Sequence, residues 1–357
     1  MTIAIILGTR PEIIKCSPLV RELEARTEPY YVIHTGQHYS FAMDRVFFED
    51  LRLPEPRYHL NVGSGEHGEQ TGRMLSGIEK IFADDPPGTV LVQGDTNTVL
   101  AGSLVASKSP ARLGHVEAGL RSYDRTMPEE VNRVVSDHLS DLLFAPTATA
   151  QKNLMREGID PSTVHVTGNT VVDALYAHRE LSEERYCCPP SEHPYILITA
   201  HRQENVDNPQ RLRDILRAMG TLASDLEREV IFPAHPRTVK MMAWFGYAVP
   251  PGVRLIDPVG YLQFLQLEAR ASLIVTDSGG IQEEACVLGV PCVTIRENTE
   301  RPETVAVGAN VLAGTDEATI VAKAHEMLSR KKRWKQPYGD GSSGKRIVEL
   351  CLAVDTP

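Results

Sequence analysis

The residues able to do chemistry in this sequence cluster where apolar runs end. After TVLVQG comes Asp95, followed by Thr96, Asn97 and Thr98. The run RLGHVEAG delivers His115 and Glu117, with Arg121 shortly after, and MPEEVNR opens a helix at Pro128 with Glu129 and Glu130 in its first turn. Each acid has a plain structural reading. Asp95 suits a helix N-cap, Glu117 a buried pair with Arg121 or another cation, and Glu129 the positive end of a helix dipole. Three acid sites on consecutive loops of one sheet point instead to an acid/base cluster. Glu117 lies in the apolar stretch HVEAGL, a setting expected to raise its proton affinity toward neutral pH.

Cations and small residues mark a second kind of site. In GTRPEIIK, Gly8 permits a tight turn, Pro11 suits the first turn of a helix, and Arg10 then stands at a helix N-terminus, where anions are favoured. Lys15 follows one turn later and reads equally well as structural. TAHRQEN places His201 and Arg202 directly after a strand, an arrangement suited to a diphosphate, and PAHPRT gives His235 a similar position. In DSGGIQEEA, Ser278, Gly279 and Gly280 form a turn opening a helix whose backbone N–H groups can face phosphate. Glu284, one turn in, can hold a pair of ribose hydroxyls or be merely an exposed helix acid. TERPE sets Arg301 before Pro302 at another helix start.

What must position these residues is an alternation of short apolar runs and amphipathic stretches. Residues 2–8, 30–36, 89–95, 112–119 and 141–147 read as strands, with helical patterns at 18–25 and 70–82 between them. The alternation restarts at 195–201, 229–235, 253–257, 271–280 and 291–295. It predicts α/β architecture with two doubly wound parallel sheets. The domains are expected at 1–170, joined by a C-terminal helix over 343–357, and at 171–342. With 357 residues the chain has room for two cores.

Composition narrows the function. The net charge of −10 argues against a nucleic-acid partner held by its phosphates. The six cysteines, Cys16, Cys187, Cys188, Cys286, Cys292 and Cys351, show no zinc spacing and read as reduced thiols of a cytoplasmic protein. No run is long and apolar enough to span a bilayer, and no leader pattern precedes the first strand. Neither a metal nor a cofactor is called for. GSGEHG at 63–68 matches a dinucleotide fingerprint in letters, but the polar RYHLNV before it is a poor core strand and the site is not the first βα turn.

Taken together, GTRPEIIK, TGQHYSFAMD, QGDTNTVLAG, GHVEAGLRS, MPEEVNR, GNTVVDAL, TAHRQEN, DSGGIQEEA and TERPE resemble the non-hydrolysing UDP-N-acetylglucosamine 2-epimerases, in the family's order and over nearly the whole chain. The resemblance implies a GT-B fold, two Rossmann-like domains facing a central cleft, and a homodimer acting in polysaccharide biosynthesis. It implies reversible epimerisation of UDP-N-acetylglucosamine to UDP-N-acetylmannosamine, by elimination of UDP and re-addition. Asp95, Glu117 and Glu129 become the catalytic acids, with His201 counted beside them at the diphosphate. Arg10, Lys15, Arg202, His235, Ser278, Gly279, Gly280, Glu284 and Arg301 fall around UDP, and Phe264 near the uracil. Gln37, His38 and Gln70 match an activator site. Alternatives are a 2-epimerase of a related UDP sugar, such as a 2,3-diacetamido uronic acid, a GT-B glycosyltransferase, and a nucleotide-sugar sensor without catalysis.

Overall fold

The computed structural model describes residues 2–37, 41–186, 191–331 and 333–353. His38 of the expected activator site and the adjacent Cys187 and Cys188 lie outside them. The chain divides into two compact units, Met1–Ala177 with Tyr338–Pro357, and His178–Pro337.

Unit 1 holds strands β1 (Ile3–Leu7), β2 (Tyr30–His34), β3 (Tyr58–His59), β4 (Thr89–Gln93), β5 (Arg112–Val116), β6 (Leu142–Ala145) and β7 (Val164–Val166). Its helices are α1 (Arg10–Arg26), α2 (Phe41–Asp50), α3 (His67–Asp84), α4 (Asn97–Ala106), α5 (Pro128–Leu139) and α6 (Ala148–Arg156), and α7 (Thr170–Arg185) starts in it. The strand order is β3-β2-β1-β4-β5-β6-β7, every pairing parallel. β1 and β4 are buried along their whole length. That is why they read as unbroken apolar runs rather than alternating ones.

Unit 2 repeats the plan. Strands β8 (Tyr195–Thr199), β9 (Glu229–Pro233), β10 (Val253–Ile256), β11 (Leu273–Thr276), β12 (Cys292–Thr294) and β13 (Asn310–Leu312) pair in the order β10-β9-β8-β11-β12-β13, again all parallel. The helices are α8 (Gln203–Val206), α9 (Pro209–Asp225), α10 (Pro236–Phe245), α11 (Tyr261–Arg270), α12 (Gly279–Leu288), α13 (Pro302–Ala306) and α14 (Glu317–Ser329). Helix α15 (Ser343–Leu352) belongs to unit 1.

The expected domain limits at 170 and 343 differ from the observed division, which falls inside α7 and at Tyr338. No helix stop occurs near 170, so α7 carries the chain onward. The return segment enters unit 1 before its helix begins: Tyr338 is fully buried and its carbonyl accepts from Asn169 N at 2.8 Å. α15 then packs on α1, burying Ile347, Val348 and Cys351. Its start approaches α1 so closely that a Cβ on Gly344 would lie 2.9 Å from Pro18. Pro18 sits inside α1. The Ile14 carbonyl that its missing N–H leaves free accepts from Ser17 Oγ at 2.8 Å, so the helix continues.

The four described cysteines are buried free thiols. Among the described residues no helix is long and apolar enough to cross a membrane.

Candidate functional site

In an open parallel sheet, ligands bind beyond the strand carboxyl ends where the strand order reverses. In unit 1 that point lies between β1 and β4, so the turns after these two strands meet. The first must be glycine: a Cβ on Gly8 would fall 2.0 Å from Thr35 Oγ1 and 2.4 Å from Thr98 Oγ1. Glu12, buried in the first turn of α1, ties the two turns together. Its carboxylate accepts from Gly8 N (2.6 Å) and Thr9 N (2.9 Å) on one side and from Thr96 Oγ1 (2.5 Å) on the other. Burial pushes Glu12 up to about 7, against those hydrogen bonds.

Glu117 follows β5 in the left-handed region, φ 69°, a conformation a non-glycine residue holds only when its surroundings enforce it. They do so here. Lys15 Nζ donates to Oε1 at 2.6 Å, Asn169 Nδ2 to the same oxygen at 2.9 Å, and Gln93 Nε2 to Oε2. The carboxyl that sequence places in an apolar stretch is thus ringed by donors from α1, β4 and the loop after β7.

His115, two residues earlier, is fully buried. Nδ1 meets Asp137 Oδ1 at 2.7 Å and Nε2 meets the Gly94 carbonyl at 2.8 Å. Both partners accept, so both ring nitrogens donate and the ring is an imidazolium. Burial opposes that charge, but Asp137 and the Gly94 carbonyl outweigh it and its proton affinity is raised. For Asp137, burial is likewise overcome by His115 and Arg121, and its pKa is lowered. Of the cations that sequence allowed as a partner of Glu117, Lys15 takes that place, and Arg121 pairs with Asp137 at 2.7 Å and Glu157 at 2.6 Å.

Asp95, half-buried, accepts from Arg133 Nε (2.9 Å) and Nη2 (2.8 Å) on α5. Asn132 Nδ2 donates to its backbone carbonyl at 2.9 Å. The helix cap there is Thr96, not Asp95. Glu129 is exposed, one helical turn before Arg133. Glu130 is buried and accepts from Ser122 N (3.0 Å), Tyr123 N (2.8 Å) and Arg133, pinning the loop after Glu117. Arg10 Nε bonds Asp44 Oδ1 at 3.1 Å with its guanidinium over Phe47. Gln37 and Gln70 are both buried. Gln37 Oε1 accepts from Thr98 N at 3.0 Å, and Gln70 Nε2 donates to the Gln37 carbonyl at 2.7 Å.

In unit 2 the order reverses between β8 and β11. The turn after β11 supplies Asp277, buried. It accepts from His201 N (3.0 Å), Arg202 N (2.9 Å) and Asn205 Nδ2 (3.2 Å), and pairs with His201 Nδ1 at 3.0 Å. The His201 side chain remains 47% exposed, available to a ligand. His235 caps α10, its Nδ1 accepting from Arg237 N at 3.2 Å. Burial and the nearby His201 lower its pKa, leaving it neutral at pH 7. Ser278 stands at the N-terminus of α12, followed by Gly279 and Gly280, whose first-turn N–H groups have no intrahelical acceptor. A Cβ on Gly279 would reach within 2.5 Å of Glu300 Oε1. Burial would raise Glu300, but Arg301, Arg296 and Arg202 hold it at about 2. Arg301 is itself buried and paired with Glu283 at 2.6 Å, while Arg202 reaches Glu300 only at 3.8 Å. Phe264 and Glu284 are half-buried on α11 and α12. Among the described residues no group of His, Cys, Asp and Glu is arranged to hold a metal.

The family model for UDP-N-acetylglucosamine 2-epimerase matches residues 21–352. The chain belongs to the UDP-N-acetylglucosamine 2-epimerase family. It is 52% identical to a UDP-N-acetylglucosamine 2-epimerase of Methanococcus maripaludis, over 99% of each chain. A crystal structure of the Methanocaldococcus jannaschii UDP-GlcNAc 2-epimerase, in complex with UDP-GlcNAc and UDP, superposes with a TM-score of 0.90 at 51% identity, covering 98% of this chain and 99% of that one. A UDP-2,3-diacetamido-2,3-dideoxy-D-glucuronate 2-epimerase of Pseudomonas aeruginosa is 41% identical over 99% of this chain and all of its own. The 2-epimerase fold is therefore that of the whole chain.

Within this 2-epimerase, Lys15 and Glu117 are brought into direct contact, as are His201 and the turn preceding Ser278. Sequence reading overlooked Glu12, Gln93, Asn169, Asp277 and Glu300. Only Glu12 carried a local signal, the capping-box spacing Thr9-x-x-Glu12.

Proposed function

We propose that the protein interconverts UDP-N-acetylglucosamine and UDP-N-acetylmannosamine by eliminating UDP and adding it back. The observation that carries this is Glu117, held in a left-handed backbone and ringed by Lys15, Gln93 and Asn169 at the switch point of unit 1. The proton on carbon-2 has no neighbouring carbonyl, so its removal must be coupled to departure of the leaving group. A carboxylate takes that proton, its electron pair forms the carbon-1–carbon-2 double bond, and the carbon–oxygen bond to UDP breaks with its pair going to UDP. Return of UDP to 2-acetamidoglucal, with a proton delivered to the opposite face, inverts carbon-2. Two faces need two groups. We assign Asp95 to one and Glu117 or Glu129 to the other.

The α12 N-terminus, with Ser278, Gly279 and Gly280, the cations Arg10, Arg202 and Arg301, and the His201 ring are assigned to the negative charge that grows on the diphosphate. His235 is placed beside them, Glu284 at the ribose and Phe264 at the uracil. Gln37 and Gln70 are assigned to an activator site. We further infer a cytoplasmic homodimer whose product feeds polysaccharide synthesis.

Incubation with UDP-N-acetylglucosamine in deuterium oxide, followed by proton NMR, tests the reading. UDP-N-acetylmannosamine carrying deuterium at carbon-2 is the expected product. Retention of the carbon-2 proton with no new sugar would overturn it, and turnover of only a diacetamido uronic acid nucleotide would move the assignment to that sugar.

A further inference from the structure

The pairing of β1 with β4 ends at Ile6 and Val92. Past that point the two turns carry residues assigned to different halves of one reaction: Arg10, for the diphosphate, follows β1, and Asp95, for proton transfer, follows β4. Glu12 spans the two turns. It is buried, and its Oε2 accepts from Gly8 N at 2.6 Å and Thr9 N at 2.9 Å, while Oε1 accepts from Thr96 Oγ1 at 2.5 Å. A capping box accounts for the bond from Thr9 N. The other two lie outside it, and the one from Thr96 joins residues 84 apart in the chain. Thr96 is the next residue after Asp95. On its other side Asp95 is held by α5, where Arg133 Nε donates to the carboxylate at 2.9 Å and Asn132 Nδ2 to the backbone carbonyl at 2.9 Å. Through Thr96, Glu12 adds a hold from α1.

We propose that Glu12 is a positioning residue for the elimination, a buried strut that sets where Asp95 stands relative to Arg10 by tying together the turns after β1 and β4. This rests on the assignment of Asp95 to proton transfer and of Arg10 to the diphosphate. Loss of the carbon-2 proton is coupled to departure of UDP, so the group that takes the proton and the cation that meets the leaving charge must be in place at once. A displacement of about 1 Å in one of them costs on the order of a hundredfold in rate. At 2% exposure Glu12 acts through the turns and not on the substrate itself.

The test measures steady-state turnover of UDP-N-acetylglucosamine by the full chain, with UDP binding followed by calorimetry. Thr96→Val removes the hydroxyl at nearly constant volume, and its kcat should fall about tenfold to a hundredfold. Arg10 keeps its contacts with Asp44 and Phe47 in that variant, so KM and the Kd for UDP should stay within about threefold, the mark of an interaction that matters in the transition state. Glu12→Met should show the same loss while leaving Thr96 to cap α4. Glu12→Gln should hold turnover within about threefold, because its oxygen can accept from both backbone N–H groups and its nitrogen can donate to Thr96 Oγ1. Placed on Asp95→Asn, Thr96→Val should cost nothing further, since both act through the same group. Unchanged kcat in Thr96→Val, a rise in KM or Kd with kcat held, a full further loss on Asp95→Asn, or equal loss in Glu12→Gln and Glu12→Met each overturns the proposal and leaves the role of Asp95 standing. If Glu12→Met does not fold, Thr96→Val with and without Asp95→Asn decides the matter. Near-normal turnover of Asp95→Asn alone is the separate outcome that removes the assignment of Asp95, and the strut with it.

Discussion

Glu117 and Asp95 are held by cations in different ways, and their replacement separates chemistry from stability. Asp95→Asn and Glu117→Gln should each lower kcat by about a hundredfold or more, the usual scale for losing an acid/base group, measured by steady-state NMR turnover. Lys15 has a buried ammonium paired with Glu117. Lys15→Met strands that carboxylate and should cost about 3 kcal/mol of unfolding free energy in denaturant titrations. Adding Glu117→Gln to it should recover much of that loss without restoring turnover. None of this pairing was visible in sequence, because Lys15, Gln93 and Asn169 reach Glu117 from distant positions. What sequence did show was chemical type at strand ends, and it marked Glu117, Asp95, His201 and Ser278 for that reason. It allowed Arg121 or another cation as the partner of Glu117; that cation is Lys15, and Arg121 pairs with Asp137 and Glu157.

Strand β5 and helix α5 are joined by the buried His115–Asp137 pair, and it makes stability depend on pH in two directions. His115 gains proton affinity on folding, so its contribution is complete below its ordinary value of 6.5 and is lost as pH rises through its higher folded value. Asp137 loses proton affinity, so its contribution is present above 3.8 and is lost as pH falls through its lower folded value. The pair's stabilisation should therefore plateau between these limits. His115→Gln should remove the alkaline decline, as read from denaturant midpoints across pH. Gly168, at φ 87°, is another local device. An added Cβ would lie 2.9 Å from the Tyr338 carbonyl and 2.6 Å from Ser343 Oγ. Gly168→Ala should destabilise unit 1 by about 1–3 kcal/mol through left-handed strain and crowding of the return segment, seen as a lower Tm. At this scale the long buried strands were legible as apolar runs. β3, β7 and β13 were not, since each is a short edge strand of two or three residues that includes polar or half-exposed positions. The GSGEHG segment follows β3, and Cβ atoms on Gly63 and Gly68 would meet nothing within 4 Å.

Two doubly wound units in one chain were expected from the restart of the β/α alternation, and the structure has them, each with its polar cluster where strand order reverses. The division points were harder to read, because α7 has no sequence stop at the boundary and the return segment packs before its helix starts. Unit 2 is contiguous, residues 178–337, with its own core of Ile196, Leu212, Phe232 and Val293 among others. Produced alone, it should melt cooperatively by circular dichroism, whereas residues 1–177 without 338–353 should not, having lost the cover that Ile347 and Val348 give α1.

The closing of unit 1 by residues from beyond unit 2 also sets an order of events during synthesis. As the ribosome releases the chain from its amino end, every residue of unit 2 emerges before Tyr338 does. Unit 1 begins first yet finishes last, its α1 surface waiting uncovered while a whole neighbouring unit is translated and folds. Nascent chains stalled after residue 337 should therefore offer chaperones the bare face of α1, and the need for them should end once α15 has emerged.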